Sequence, residues 1–279
     1  MFTLNCAGQL LVVDNPVVMG IINITPDSFY AGSRFTGKMA VLQQAEIMLT
    51  EGAAILDIGG QSTRPGSEQI TIDEELQRVL PAIEAIHTRF PEAIISIDTY
   101  QSKVAAAAVA AGAAIVNDVS AGNLDADMFG TVAALQVPYV CMHMKGTPLT
   151  MQQQPVYENV TKEVLDFFIQ KIDQCRRAGI QDIIVDPGFG FGKTIAHNFE
   201  LLNQLSVFSM LEQPLLLGIS RKSTIYKTLG TTAEEALNGT TVLHTIGLQQ
   251  GANILRVHDV KEAKEVIKLI EKYKNNAPA

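Results

Sequence analysis

Cysteine is scarce in this chain of 279 residues: Cys6, Cys141 and Cys175 lie far apart, with no Cys-x-x-Cys spacing. An odd, dispersed set argues against a disulfide framework or a paired-cysteine zinc site and reads as reduced thiols. No His-Glu-x-x-His occurs either, which removes the zinc-protease pattern. There is no apolar run of 18 residues, so no membrane-spanning helix is predicted. The first residues, Met-Phe-Thr-Leu-Asn-Cys, lack a basic segment followed by an apolar one, so no secretory signal is visible and a cytoplasmic location is expected. Basic residues are in deficit, and the net charge of −8 argues against a nucleic-acid partner. A small anionic substrate is still allowed, because it needs only a local cluster of Arg and Lys.

What the chain does have is apolar material: 47% hydrophobic residues against 18% charged ones, enough for a large core. Its length suits one barrel, which needs about 250 residues, or two smaller domains. A weak repeat decides between them. Gly52-Ala-Ala-Ile-Leu-Asp57, Gly112-Ala-Ala-Ile-Val-Asn117 and Gly251-Ala-Asn-Ile-Leu-Arg256 share one pattern, and Gly179 to Asp186 is a looser copy. In each, a glycine closes a helix in the left-handed conformation, a short aliphatic run follows, and the run ends on a polar residue. Such junctions belong to parallel sheets, whose buried strands read as continuous apolar runs.

Eight runs qualify as strands: 17–22, 54–58, 94–97, 114–117, 137–142, 182–185, 215–219 and 253–257. Amphipathic segments fill most of the gaps. One is 38–51, with Val41, Leu42, Ala45, Met48 and Leu49 on one stripe. Thr71 with Glu74 and Thr232 with Glu235 have capping-box spacing. Asp259 with Glu262 predicts the start of the last helix. The expected fold is a (β/α)8 TIM barrel occupying the whole chain, 1–279, as a single domain. Residues 1–16 would form an N-terminal hairpin over the barrel floor, and 17–274 the barrel. An open doubly wound sheet is the alternative, since periodicity does not prove closure.

The chemistry stands where the runs end. Asn23 follows the first, and Asp57 ends the second, with Thr63-Arg64-Pro65 beyond it. Asp98 ends the third and Asn117-Asp118 the fourth. His143 follows the fifth, Asp186 the sixth, Ser220-Arg-Lys-Ser223 the seventh, and Arg256-Val-His258 the eighth. Any one of these Asp residues alone reads more simply as a helix cap. In a barrel, however, these ends share one mouth, and so many polar groups converging there would be costly for a purely structural protein.

Gly188-Phe-Gly-Phe-Gly-Lys193-Thr194 resembles a phosphate-binding loop by eye, but the required glycine five residues before Gly192 is Pro187. The Gly-x-Gly-x-x-Gly fingerprint also fails, with Lys193 and Ile195 at the third glycine position. The stretch reads as a flexible loop after the sixth strand.

Five segments together resemble the dihydropteroate synthase family: Met19-Gly-Ile-Ile-Asn-Ile-Thr-Pro-Asp-Ser-Phe29, Asp57-Ile-Gly-Gly-Gln-Ser-Thr-Arg-Pro-Gly66, Asp186-Pro-Gly-Phe-Gly-Phe-Gly-Lys193, Ser220-Arg-Lys-Ser223 and Arg256-Val-His-Asp259. The resemblance spans essentially residues 17–270, and Gln61 stands where the family often has Glu. It implies a transferase of folate biosynthesis, a sulfonamide target, that joins 6-hydroxymethyl-7,8-dihydropterin pyrophosphate to p-aminobenzoate with Mg2+ as cofactor. It further implies a homodimer. Asp98, Asn117, Asp186 and Lys222 would hold the pterin. Asn23, Arg64, Arg256 and His258 would hold the pyrophosphate, with Asn23 on the metal. Phe29, Thr63, Pro65, Phe189, Lys222 and Ser223 would hold p-aminobenzoate. Three rivals are a methyltetrahydrofolate:corrinoid methyltransferase on the same barrel, a Schiff-base aldolase using Lys222, and a non-catalytic pterin-binding protein.

Overall fold

The computed structural model describes residues 1–24, 34–61, 69–147, 151 and 155–276. The chain opens with an antiparallel hairpin, β1 (Phe2–Cys6) and β2 (Gln9–Val13). Eight parallel strands follow: β3 (Val17–Asn23), β4 (Ile55–Gly59), β5 (Ile94–Asp98), β6 (Ile115–Asp118), β7 (Tyr139–Met142), β8 (Ile183–Asp186), β9 (Leu216–Leu217) and β10 (Ile254–Val257). Between and after them run α1 (Arg34–Glu51), α2 (Ile72–Arg89), α3 (Ser102–Ala110), α4 (Met128–Leu135), α5 (Val160–Ala178), α6 (Ile195–Asn203), α7 (Ser223–Leu229), α8 (Leu237–Gln249) and α9 (Val260–Asn275). Strand order is β8-β7-β6-β5-β4-β3-β10-β9, and a parallel bridge from Val185 to Leu215 joins the ends, so the sheet closes into a (β/α)8 barrel.

All eight expected strands are present. The seventh is shorter than its apolar run, because the chain turns after Gly218: Lys222 N donates to Ile219 O at 3.3 Å, and Arg221 adopts φ 54°. Glycines 52, 112, 179 and 251 all have φ near +100°, the left-handed helix ends that the repeat implied. Thr71 caps α2, accepting from Glu74 N. Thr232 caps nothing: α8 begins only at Leu237, and the Glu235 carboxylate is taken by the Thr231 hydroxyl in a turn. Asp259 does precede α9, but its carboxylate is drawn away to Arg221.

Strand side chains alternate between barrel interior and helix layer, and the interior is sorted by height. Met19, Ile55, Ile94, Ile115, Val140, Ile184, Leu216 and Ile254, one from each barrel strand, form an aliphatic floor with Leu4, Cys6 and Val13 of the hairpin. The hairpin therefore seals the floor, and Asn5 N donates to Asp182 Oδ2 at 2.7 Å to hold it there. Two residues further along each strand stand Ile21, Asp57, Ser96, Asn117, Met142, Asp186, Gly218 and Arg256. The period of two thus places the polar members of the repeat one layer above the floor, facing inward. The residues between the two layers, such as Leu56, Val116 and Leu255, point outward into the larger core beneath the helices. The three cysteines are free and buried. No helix among the described residues is long and apolar enough to cross a membrane.

Glu75 on α2 is a carboxyl in this helix layer, 2% exposed, and its Oε1 finds no partner among the described residues. Burial pushes it up to about 7, against the pull of Thr99 and Arg78. The folded protein therefore keeps a proton that the unfolded chain releases near the ordinary carboxyl value. Stability from this group is present at low pH and is lost as pH rises to about 7. Glu75→Gln removes the titration. The melting temperature of the variant minus that of the parent should rise between about pH 4.5 and 7 and level off above. A difference independent of pH would show that Glu75 ionises normally.

Candidate active site

The polar layer converges on one guanidinium. Arg256 rises from β10 and donates from Nε to Asp57 Oδ2 and from Nη2 to Asp98 Oδ2, both at 2.6 Å. Asn117 Nδ2 donates to the same Asp57 oxygen at 3.0 Å. Asp57 is 0% exposed and Asp98 6%, so both carboxylates would be costly without this partner. Burial nonetheless raises the Asp98 carboxyl, helped by Asp57, Glu75 and Asp118, while Arg256 pulls it down. Asp57 Oδ1 and Asp98 Oδ1 accept no hydrogen bond among the described residues.

Opposite stands a second pair. Asp186 at the end of β8 accepts from Gly188 N at 2.8 Å. A Cβ on Gly218 would lie 3.5 Å from Asp186 Oδ2 and 3.9 Å from Lys222 Nζ, so all three groups share one corner. Lys222 Nζ donates to Phe189 O at 2.5 Å and lies 4.5 Å from the centre of the Phe191 ring. Burial pushes its ammonium down to about 8, against Asp186, with Arg256 adding to the fall. Burial raises the Asp186 carboxyl, and Lys222 opposes the rise.

The rim holds the remaining groups. Asn23, exposed, ends β3, with its Oδ1 and the Asp98 carboxylate both 3.7 Å from where a Cβ would stand on Gly59. His258 is exposed beyond β10, and its Nδ1 lies 3.1 Å from Ser220 Oγ. Arg221 grips Asp259 with Nε at 2.8 Å and Nη2 at 2.7 Å, tying the chain after β9 to the chain after β10. Ser223 opens α7, partly buried.

Asn23, Asp98, Asn117, Asp186, Lys222, Ser223, Arg256 and His258 are thus gathered at one mouth. Phe29, Thr63, Arg64 and Pro65 lie outside the described residues. Phe189 is a correction: its side chain is 0% exposed in the core beneath the helices and can line no ligand. Only its carbonyl faces the mouth, and Phe191 is the aromatic beside Lys222, packed near Tyr100, Val119 and Met142. Asp57 was a visible strand end but not an expected site residue; its place one layer above Ile55 was the signal for it. Asp118 and His143 do not join the cluster. Asp118 points outward, accepting from Tyr139 OH at 2.6 Å, and His143 is buried against Lys193. The glycine loop expected to be flexible is tied down by Lys193 and Asn198.

This arrangement can grip a planar heterocycle by its N–H edge and an anion beside it. The model of the pterin binding enzyme family matches residues 19–258. Among curated proteins, dihydropteroate synthase of Escherichia coli K12 is 43% identical over 95% of this chain and 94% of its own length. That of Streptococcus pyogenes is 40% identical over 94% and 97%. Among solved structures, Xanthomonas albilineans dihydropteroate synthase with 4-aminobenzoic acid superposes with TM-score 0.92, at 40% identity, covering 99% of both chains. The same enzyme with 7,8-dihydropteroate gives 0.89, at 38% identity, covering 99% and 100%. With motifs, barrel and charge cluster in agreement, the chain belongs to the dihydropteroate synthase family of pterin-binding enzymes.

Proposed function

We propose that the chain is a dihydropteroate synthase, condensing 6-hydroxymethyl-7,8-dihydropterin pyrophosphate with p-aminobenzoate. The observation that carries this reading is the convergence of Asp98, Asn117, Asp186 and Lys222 around Arg256 in one mouth. A pterin presents an aminopyrimidinone edge rich in N–H donors. Buried carboxylates with a free oxygen are matched to it, and Asn117 can both donate and accept. Lys222 donates to the ring carbonyl or N5. The pyrophosphate lies outward, against Arg256 and His258; Arg64, its other expected cation, lies outside the described residues. p-Aminobenzoate packs on Phe191 and the Lys222 stem, with its carboxylate at Ser223; Phe29, Thr63 and Pro65, its other expected contacts, lie outside the described residues. A sulfonamide would take that same subsite.

The C–O bond from the pterin methylene to pyrophosphate breaks, and the electron pair leaves on oxygen. The amine nitrogen of p-aminobenzoate attacks the methylene, and its proton passes to solvent or pyrophosphate. The protein stabilises the leaving charge and holds the amine in line; the Asp98 and Asp186 carboxylates favour positive charge developing on the ring. Mg2+, when bound, neutralises the diphosphate. The exposed Asn23 oxygen suits it, because Mg2+ keeps its waters and takes one or two protein oxygens beside phosphates. The pairing of a pterin edge with an anion site disfavours the methyltransferase, and carboxylates flanking Lys222 disfavour a Schiff base. The same reading places the enzyme in the cytoplasm as a homodimer, whose second copy would cover exposed Leu229, Val242, Leu269 and Tyr273 on the last helices.

Turnover of the two substrates with Mg2+ tests the reading; absence of dihydropteroate and of released pyrophosphate would overturn it. With the ammonium of Lys222 required, kcat/KM for the pterin substrate should fall as pH rises through about 8. In Lys222→Met that limb should vanish at a much lower rate. His258→Ala should weaken pyrophosphate binding and spare the free pterin. Arg256→Ala should weaken both, because it also releases Asp57 and Asp98, and should destabilise the fold by about 3–5 kcal/mol. Calorimetric titrations showing that Arg256→Ala binds free pterin normally would disprove its bracing of the ring pocket.

A further inference from the structure

Lys193 is buried, 3% exposed, and among the described residues no carboxylate is a hydrogen-bond partner of it. Its Nζ donates to Gly188 O at 2.9 Å and Phe191 O at 3.2 Å, and stands 2.8 Å from His143 Nδ1. An ammonium satisfies all three as donor to a neutral imidazole. A neutral amine satisfies them by accepting from His143 Nδ1–H instead. The clamp therefore holds in either state. It crosses between two loops whose backbones are in contact: a Cβ on Gly188 would lie 1.9 Å from His143 O, and one on Gly192 would lie 2.3 Å from Lys145 O. Asn198 and Tyr157 finish the fastening, at Gly190 N and Gly192 O respectively.

The two carbonyls that Lys193 holds bracket the residues that contain Lys222. Phe189 O accepts from its amine, Gly190 lies under its stem with a virtual Cβ 3.4 Å from Cδ, and the Phe191 ring lies beneath Nζ. We propose that Lys193 is a positioning residue for the reaction, fixing the loop after β8 so that its carbonyl and ring set where the Lys222 amine stands over the pterin subsite. This rests on the pterin reading for its substrate, but the placement of Lys222 by Lys193 does not.

The test is Lys193→Met, which keeps length and burial and removes the donors. Competitive acetylation read by mass spectrometry follows the titration of Lys222 without turnover. Asp186, Asp98 and Arg256 face Lys222; Asp186, Lys222, Lys145 and His143 face Lys193; all remain in the variant. In folded variant, Lys222 should titrate above about 8, towards the ordinary lysine value, because water reaches it. kcat/KM for the pterin substrate should fall on the order of tenfold or more. An unchanged Lys222 titration overturns the proposal, even if the melting temperature falls. Should Lys193→Met fail to fold, His143→Gln loosens one partner only and should move Lys222 the same way by less; no movement overturns the proposal there too. A parent inactive on the pterin substrate would sink the functional reading alone.

Discussion

Three carboxylates, Asp57, Asp98 and Asp186, face inward above an aliphatic floor, and ions in such a place cost several kcal/mol each unless paired. Arg256 is the group that makes the arrangement tenable. It bridges Asp57 and Asp98 from β10, while Lys222 answers Asp186. Asn117 then takes its orientation from Asp57. The pairing stops short of completion: one oxygen of Asp57 and one of Asp98 are buried without a donor among the described residues. A ligand edge bearing N–H groups removes that deficit, so the imbalance favours such a ligand.

How the charges come to be there is a matter of strand period. The floor and the site are the same strands read two residues apart, as in Ile55 and Asp57 or Ile254 and Arg256. Outward neighbours anchor each strand to the helix layer, so the register cannot slip without exchanging apolar for charged positions. The site inherits its precision from packing that has no chemistry of its own.

Much of this is legible in the sequence. Eight apolar runs ending in polar residues predicted both the barrel and the mouth, and the glycines before them marked the helix ends. What was not legible lies where the alternation stops. Gly188, Gly190 and Gly192 all have positive φ, and so parity no longer tells which phenylalanine faces inward: Phe191 does, Phe189 does not. Asp259 and Thr232 had the spacing of caps, but long-range partners and a local turn override spacing. The fastening of the glycine loop by Lys193 and His143 depends on contact across 50 positions, which no local pattern encodes.

The bridge between Arg256 and Asp57 spans 199 positions, and β10 pairs with β3 to close the ring. During synthesis, every strand that carries an acidic group emerges before the strand that carries its counter-ion. Until the ribosome has released β10, the nascent barrel has an open edge on β3, and Asp57 and Asp98 lack their counter-ion. Nonlocal closure of this kind is slow and leaves intermediates exposed. Commitment to the native state therefore waits for the distal part of the chain, and the residue that completes the catalytic mouth also marks the moment at which the fold becomes whole.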